Sequence, residues 1–224
     1  MSPARQRRTG GEESSARRSQ LLDAAERVFH RRGYSAATIQ EIADEFGILK
    51  GSTYHYVRSK EQLLLEVEER AHRHVFAEVS AAVDSVSEPI ERLWMFIHSL
   101  ILLNARTPTM GSLTKATLDL PPGAGRDRIA QARHRFEDLL RTLLDDAVEA
   151  RAVPAGLNGK VVAFGIFGLI NSIYLWYRPG GPISPDELAH TYADSLIAGL
   201  VSAPPAGSAT WQRLAAEQTA PVPS

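Results

Sequence analysis

Apolar residues recur along most of this chain at steps of three and four positions, the spacing that puts them on one face of an α-helix. The first such stripe consists of Leu21, Ala25, Val28 and Phe29, and it predicts a helix over about residues 17–32. No run of alternating β-branched residues indicates a strand. The pattern therefore predicts an all-α protein.

Two short helices are predicted next. The segment from Thr38 to Glu41 has the form of a capping box, in which a hydroxyl and a carboxylate satisfy each other's backbone N–H groups. Gly47 ends this helix, because glycine tolerates a left-handed turn, and a third helix spans about residues 50–57. Two short helices joined by a tight turn form either a helix-turn-helix or an ordinary αα-corner, and this geometry alone leaves both open.

Six further helices bring the expected total to about nine. They cover about residues 59–84, 89–107, 109–120, 126–153, 158–177 and 184–203. The helix over 158–177 is uncharged from 161 to 177, but its length only reaches the lower limit for a membrane span. We expect it to be buried on all sides in protein. Gly165, Gly168 and Ser172 form a stripe of small residues along it that allows a neighbouring helix to approach closely.

The two ends of the chain lack the helical pattern. Residues 1–16 are rich in Arg, Ser, Gly and Glu, and residues 204–224 are rich in Ala, Pro, Ser and Thr. We expect a disordered basic arm and a disordered tail, because such segments offer little apolar surface to bury. Between them we expect a small three-helix domain over residues 17–62 and a larger helical domain over residues 63–203.

Composition and charge narrow the class of protein. The 224 residues include no cysteine, which excludes disulfides and thiolate metal sites, and the N-terminus does not resemble a secretory signal. We expect a cytoplasmic protein. The net charge of −1 divides into +4 over residues 1–60 and −5 over the rest. A basic N-terminal quarter suits contact with a polyanion, although chance surface composition explains it equally well.

A longer string separates the helix-turn-helix from the αα-corner. It runs Thr38-Ile39-Gln40-Glu41-Ile42-Ala43, then Gly47-Ile48-Leu49-Lys50-Gly51-Ser52-Thr53-Tyr54-His55-Tyr56-Val57, then Ser59-Lys60-Glu61-Gln62-Leu63. Over about residues 17–66 the chain resembles the DNA-binding domain of the TetR family, departing at Leu49 and Val57. The resemblance implies a dimeric repressor that binds a palindromic operator and is released by a small apolar ligand. It also implies an N-terminal three-helix DNA-binding domain followed by a larger ligand-binding and dimerisation domain.

The candidate DNA contacts follow from this arrangement. The third helix offers donors, acceptors and aromatic edges to the major groove. The residues that we expect to read bases are Lys50, Gly51, Ser52, Thr53, Tyr54, His55 and Tyr56. Those that we expect to hold phosphates are Thr38, Tyr56 and Lys60, with Arg17 and Arg18 from the arm. Tyr54 or Tyr56 is also compatible with a packing role in the small core.

The resemblance also implies that the last two helices, about residues 158–177 and 184–203, form a four-helix bundle with a second copy. The turn from Trp176 to Pro182 resembles that of regulators of lipid, steroid and acyl-CoA catabolism. Candidate ligand contacts combine apolar walls with a few polar groups. They are Phe76, Trp94, His98, Leu102, Met110, Thr117, Phe164, Phe167 and Asn171. Each is also compatible with plain core packing, and for any single residue of this set core packing is the commoner role.

Two other classes of protein are less consistent with the sequence. An enzyme is disfavoured because no phosphate-binding loop, nucleophile elbow or HExxH motif is present, and we expect no cofactor. We expect no metal, since His72 and His74 are two positions apart on a helix and face different directions. A non-specific nucleoid or membrane-surface protein would need more than a charge of +4 over its basic end, so we expect no membrane contact.

Overall fold

The computed structural model describes residues 3–47, 57–107 and 109–201. Eight α-helices and no strand lie in these ranges. They are α1 (Pro3–Arg32), α2 (Ile39–Phe46), α3 (Lys60–Asp84), α4 (Pro89–Arg106), α5 (Thr109–Leu118), α6 (Ala124–Glu149), α7 (Gly159–Trp176) and α8 (Pro185–Val201). The prediction of an all-α protein is confirmed. The helix expected over residues 50–57 lies almost wholly outside the described residues.

The ends of α2 follow the signals in the sequence. The Thr38 hydroxyl accepts from the Glu41 N–H at 3.1 Å, and a Glu41 carboxylate oxygen accepts from the Thr38 N–H at 2.9 Å. Gly47 has a φ of +81° and donates its N–H to the Ala43 carbonyl oxygen at 3.0 Å. The predicted capping box and the predicted glycine stop are both confirmed.

Serine residues cap the beginnings of α3 and α8. The Ser59 hydroxyl accepts from the Gln62 N–H at 3.1 Å, and the Gln62 side chain accepts from the N–H of Arg58. At α8 the Ser184 hydroxyl accepts from the Glu187 N–H at 3.1 Å. Each serine therefore satisfies one backbone donor of the first turn of its helix.

The N-terminus differs from the sequence expectation. Helix α1 begins at Pro3 rather than near residue 17, so most of the segment expected as a disordered arm is helical. Proline suits the first turn of a helix, and no other proline occurs before Pro89. The segment is rich in arginine and glutamate, which are good helix formers, and Gly10 and Gly11 each cost only about 1 kcal/mol.

The helices enclose two separate hydrophobic cores. The first core lies between α1, α2 and the beginning of α3, and we call this part of the chain the head. Its fully buried side chains include Leu21, Phe29, Ile42 and Leu63. Leu113 of α5 is also part of this core, and Leu63 already lies past the expected domain boundary at residue 62.

The second core lies between the remainder of α3 and helices α4, α6, α7 and α8, and we call this part the body. Phe96 and Ile97 of α4 and Leu140 of α6 are fully buried there. Helix α4 packs along α8 on one side and against α3 on the other. Because α3 contributes to both cores, it joins the head to the body.

Helix α7 is not buried on all sides within the chain, contrary to our expectation. Only one face is covered, by contacts of Ala163, Ile166, Ile170 and Ile173. Phe164 on another face is 56% exposed. Among the described residues, α7 alone is long and apolar enough to span a membrane, a test that core helices of soluble proteins also pass. No charged residue occurs between positions 161 and 177, so the sequence pattern could not identify the open face.

Candidate DNA-binding and ligand sites

Most of the expected DNA contacts belong to the second helix of the helix-turn-helix, over about residues 50–57. The base-reading residues lie outside the described residues. They are Lys50, Gly51, Ser52, Thr53, Tyr54, His55 and Tyr56. Val57, which begins the next described segment, is buried in the core of the head. The expected roles of these seven residues stay predictions.

Lys60 has a specific position in the head. Its Nζ donates to the carbonyl oxygens of Tyr34 at 2.9 Å, Ser35 at 3.2 Å and Ala37 at 2.9 Å. The same ammonium lies 4.6 Å from the centroid of the Tyr34 ring. Since an ammonium has three hydrogens, these bonds use all of its donors. Lys60 therefore holds the turn between α1 and α2, and the phosphate contact expected for it stays a prediction.

Arg18 connects α1 to α3. Its guanidinium donates twice to the Glu66 carboxylate, with Nε at 2.8 Å from Oε2 and Nη2 at 2.5 Å from Oε1. Partial burial of Glu66 would raise its pKa, but hydrogen bonds from Arg18 and Gln62 lower the pKa below the ordinary value. Arg17 is exposed. The described contacts of Arg18 are structural, and phosphate binding by either arginine stays a prediction.

Two further contacts fasten α1 to α2 at the surface. Glu45 accepts from Arg27 at 2.7 Å and from Arg31 at 2.6 Å, and these hydrogen bonds lower the pKa of its carboxyl group. Hydrogen bonds from Thr38 and the neighbouring Arg32 lower the pKa of Glu41 in the same way. Exposed pairs of this kind each stabilise a protein only slightly. Their effect is to fix the orientation of α2, the first helix of the helix-turn-helix, on α1.

A cavity of about 620 Å³ lies between α3 and the body, and this is the candidate ligand site. Its apolar wall comes mainly from α4, α6 and α7. Leu100, Leu103, Phe136, Phe167 and Ile170 form this wall. A volume of this size suits a ligand larger than an amino acid or a single sugar.

The polar part of the cavity wall comes mainly from α3, α5 and α6. Its basic and imidazole groups are Arg70, His72, His74, Lys115 and Arg133, and its carboxylates are Glu26 and Glu137. The uncharged polar residues include Asn104, Thr114, Asn171 and Tyr174. Three permanent cations, Arg70, Lys115 and Arg133, thus face two carboxylates in the wall.

Glu68 is a fully buried carboxylate beside this cavity. It accepts hydrogen bonds from the hydroxyls of Thr114, at 2.7 Å, and Thr117. Arg133 Nη2 lies 3.6 Å and His72 Nε2 3.8 Å from Glu68 Oε1. Burial alone would raise the pKa of Glu68, but the His72 imidazole and the two threonine hydroxyls lower the pKa below the ordinary value. Glu68 therefore ties α3 to α5 as a charged group.

Of the nine expected ligand contacts, Phe167 and Asn171 line the cavity. Thr117 does not: it is buried and its hydroxyl is bound to Glu68. Phe76 packs edge-on against Phe136, with the ring centroids 5.1 Å apart, and is not itself in the wall. The side chain of Met110 is not among those that the structure describes.

Three of the remaining four expected contacts belong to α4, and they face elsewhere. The Trp94 ring stacks on His98 with centroids 4.5 Å apart, and its Nε1 donates to Asp194 of α8 at 2.8 Å. Burial and the neighbouring His190 lower the pKa of His98. Leu102 packs against the body core. The cavity meets a different stripe of α4, formed by Leu100, Leu103 and Asn104, because positions three and four apart share a face.

The fourth, Phe164, is exposed on α7 and does not line the cavity. Sequence reasoning also missed two groups near the cavity. Glu68 had a signal, because it falls four positions after Leu64 on the apolar stripe of α3, where a carboxylate requires partners. Arg70 had none, because its partners in α1 lie more than forty positions away.

Comparison with known families agrees with this geometry. Residues 21–67 match the family model of bacterial regulatory proteins of the tetR family. Residues 86–200, about half of the chain, match the tetracyclin repressor-like C-terminal domain. The chain therefore belongs to the TetR family of transcriptional regulators, and its N-terminal match contains the helix-turn-helix.

Individual relatives support the same assignment. The HTH-type transcriptional repressor KstR2 of Mycolicibacterium smegmatis is 28% identical over 191 residues, covering 83% of this chain and 91% of the relative. The structure of the ketosteroid transcriptional regulator KstR2 of Mycobacterium tuberculosis is similar with a TM-score of 0.73 at 26% identity, covering 84% of this chain and 96% of that one. The structure of AibR in complex with isovaleryl coenzyme A and operator DNA has a TM-score of 0.69 at 25% identity, covering 83% and 98%.

Proposed function

We propose that this chain is a homodimeric repressor that binds a palindromic operator through its heads and leaves the DNA when an anionic, largely apolar ligand fills the cavity. The observation that carries this proposal is the position of the cavity. Its wall includes α3, which enters the head, and residues of α4, α6 and α7, which form the body. A ligand that binds better to one arrangement of α3 against the body changes the population of that arrangement.

The chemistry of the wall suggests the ligand class. An apolar wall formed by Leu100, Phe136 and Phe167 suits an acyl chain or a sterol ring system. The basic groups at Arg70, Lys115 and Arg133 suit a carboxylate or a phosphate. An acyl-CoA thioester, fatty or steroid-derived, combines both features. The AibR complex with isovaleryl coenzyme A and the ketosteroid regulator KstR2 are consistent with this class.

The exposed face of α7 supports the dimer. Val161, Phe164 and Leu175 are each more than half exposed, which is unusual for large apolar residues on one helix. A Cβ atom built at Gly165 or Gly168 meets nothing within 4 Å, so this side of α7 is open to the backbone of another helix. In the proposed dimer, α7 and α8 of each copy, within about residues 158–177 and 184–203, form a four-helix bundle.

Under this proposal the protein acts in the cytoplasm, where its DNA is, and the apolar face of α7 contacts a second copy rather than a membrane. It carries out no reaction of its own. The cavity serves for recognition, and the ligand leaves unchanged. Repression and release then depend only on the relative affinities of the two conformations for operator and ligand.

DNA selection followed by titration tests the proposal. Full-length protein is used to select duplexes from a random pool, and the best duplex is compared with a scrambled one by fluorescence anisotropy at several salt concentrations. We expect a palindromic consensus, with an affinity for it on the order of 10³-fold or more above the scrambled duplex. Equal affinities would refute the operator-binding part.

The ligand part has its own experiment. Acyl-CoA thioesters from five to eighteen carbons, a steroid acid, and coenzyme A alone are added to the preformed complex with the selected duplex. We expect at least one thioester to release the DNA and to raise the melting temperature of the free protein, while coenzyme A alone does neither. If no thioester or steroid acid has either effect, the proposed ligand class is wrong.

A further inference from the structure

Arg70 of α3 contacts the head and the cavity with the same guanidinium. Its Nη1 donates to Asp23 at 2.6 Å and to the Ser19 carbonyl oxygen at 3.3 Å, and its Nη2 donates to Glu26 at 2.7 Å. All three partners belong to α1. Arg70 and Glu26 are also part of the cavity wall. A group bound in the cavity next to Arg70 therefore meets the residues that hold α1 against α3.

We propose that Arg70 couples ligand binding to DNA release by exchanging partners. The anionic group of the ligand binds the Arg70 guanidinium, displaces the carboxylates of Asp23 and Glu26, and so removes one of the polar contacts that hold α1 against α3. The pair between Arg18 and Glu66 is left in place. This inference rests on the proposed function, because it assumes a ligand in the cavity. It adds the residue that the negative charge of the ligand must bind and through which the ligand acts on the head.

The exposure of this ion-pair cluster makes the exchange feasible. The Arg70 side chain is 26% exposed, and those of Asp23 and Glu26 are 49% and 39% exposed. Water therefore solvates the released carboxylates, and the pairs that are broken are of the weakly stabilising kind. A guanidinium also accepts a carboxylate or a phosphate in the same two-pronged geometry. An anion held in place by the apolar wall can compete successfully for it.

Glu68 offers a useful contrast, because it is also a charged contact of α3, here with α5 rather than α1, and it is fully buried. Displacing its partners would leave a charge without water or hydrogen bonds, which proteins avoid. The Glu68 contacts should therefore persist in both conformations. Of the two charged contacts, the Arg70 cluster is the one that can change partners.

The exchange predicts that removing the two carboxylates and removing the guanidinium change ligand affinity in opposite directions. The variant Asp23→Asn/Glu26→Gln removes the competitors, so an anionic ligand should bind more tightly, by about fivefold or more. The same variant already lacks the attachment of α1 to Arg70, so the ligand should change DNA affinity by less than about threefold. The variant Arg70→Met should bind an anionic probe more weakly and should distinguish it less from a neutral probe, since only Lys115 and Arg133 remain as permanent cations of the wall.

The experiment uses full-length protein and the selected duplex. Its probes are acyl-CoA thioesters, the matching free acids and the matching methyl esters, which are neutral. Probe affinity is measured by calorimetry, and DNA release is measured by anisotropy. Arg73→Met is the matched control, because Arg73 lies on the same helix, is exposed and is absent from the cavity wall. Thermal unfolding establishes that each variant is folded before it is compared.

The outcomes separate this inference from the proposed function. Tighter binding with lost release in Asp23→Asn/Glu26→Gln, and weaker binding in Arg70→Met, supports the exchange. If the wild type binds a probe and releases DNA but both variants behave like Arg73→Met, the exchange is refuted while the proposed function stands. If neutral esters release DNA from the wild type as well as the acids do, the requirement for charge is refuted. If no probe binds the wild type, the proposed ligand class fails, and the exchange fails with it.

Discussion

The hydroxyl of Thr114 donates a hydrogen bond of 2.7 Å to the carboxylate of Glu68, and Thr117 donates to the other oxygen of the same carboxylate. Both threonines belong to α5 and Glu68 belongs to α3. Glu68 is the only buried charged side chain among the described residues, and both of its oxygens accept from hydroxyl groups, while Arg133 and His72 lie farther away, at 3.6 Å and 3.8 Å.

Removing one of these donors should destabilise the fold. In Thr117→Val the shape is kept but one oxygen of a buried carboxylate loses its hydrogen bond, so we expect the free energy of unfolding to fall by about 1–3 kcal/mol. Urea unfolding at a fixed protein concentration measures it. Thr142→Val is the control, because the Thr142 hydroxyl bonds a carbonyl oxygen on the exposed side of α6. A loss no larger than that of the control would contradict this role for Thr117.

The charge on Glu68 should be visible in the pH dependence of stability. Its contacts hold the pKa below that of an unfolded glutamate, so they stabilise the protein fully above about pH 4.3. This stabilisation is lost as the pH falls through the folded pKa. We expect Glu68→Gln to be less stable than the wild type at pH 7 and the gap to shrink below about pH 4.3. Unfolding in urea between pH 3 and pH 7 tests this, and a gap that widens in acid would show that the pKa is raised instead.

A substitution at Lys60 can distinguish a structural role of this residue from a contact with a DNA phosphate. Lys60→Met removes the donor to three carbonyl oxygens between α1 and α2, so the head should lose about 1–2 kcal/mol of stability. Operator affinity should fall, yet the slope of log affinity against log salt should stay unchanged. Loss of a phosphate contact would instead reduce that slope by about 0.9.

Arg17→Met is the comparison for this experiment, because Arg17 is expected to hold a phosphate and its loss should reduce the slope. Anisotropy titrations between 50 and 300 mM salt, on the order of the range in which such slopes are measured, supply the data. If the slope is reduced in both variants, Lys60 also contacts a phosphate.

The open face of α7 should carry the dimer. Phe164→Glu places a charge on a large apolar side chain that is exposed within the chain, so we expect dimerisation to weaken by about 2 kcal/mol or more, roughly 30-fold in Kd. Sedimentation velocity over a range of concentrations measures this. Ala81→Glu, on the exposed side of α3, is the matched control. An unchanged dimer in Phe164→Glu would place the interface elsewhere.

Gly111 controls the width of the cavity. A Cβ atom at this position would lie 2.3 Å from Tyr174 Cδ1, and both residues are in the cavity wall. Gly111→Ala should therefore displace the Tyr174 ring, lower stability by about 1–3 kcal/mol and weaken ligand binding. Gly159→Ala meets nothing within 4 Å and should do neither. Thermal unfolding and ligand titration of the two variants decide this, and equal behaviour would mean that Tyr174 yields without cost.

The sequence predicted local features well because their causes are local. The capping box at Thr38 and the stop at Gly47 involve residues within a few positions of each other, and both were confirmed. The same holds for the helical stripes. The fold class could therefore be predicted from periodicity and end signals alone.

The site could be predicted only in part, because it depends on which helix faces which. Helix α4 has one face towards α8, with Trp94 and His98, and another towards the cavity, with Leu103 and Asn104. Both faces contain large side chains, so periodicity does not distinguish them. The partners of Arg70 lie on a helix more than forty positions earlier, and no local pattern specifies such a pairing.

Leu113 has a consequence for the construction of hybrid regulators. It belongs to α5 of the C-terminal half, yet it is fully buried in the core of the head together with Leu21 and Phe29. A chimera that joins this head to a foreign sensor at residue 66 would leave a hole where Leu113 packs. We expect such a chimera to fold when it includes α5 of this chain together with the head. It should also fold when the foreign sensor domain has a leucine at the position equivalent to Leu113.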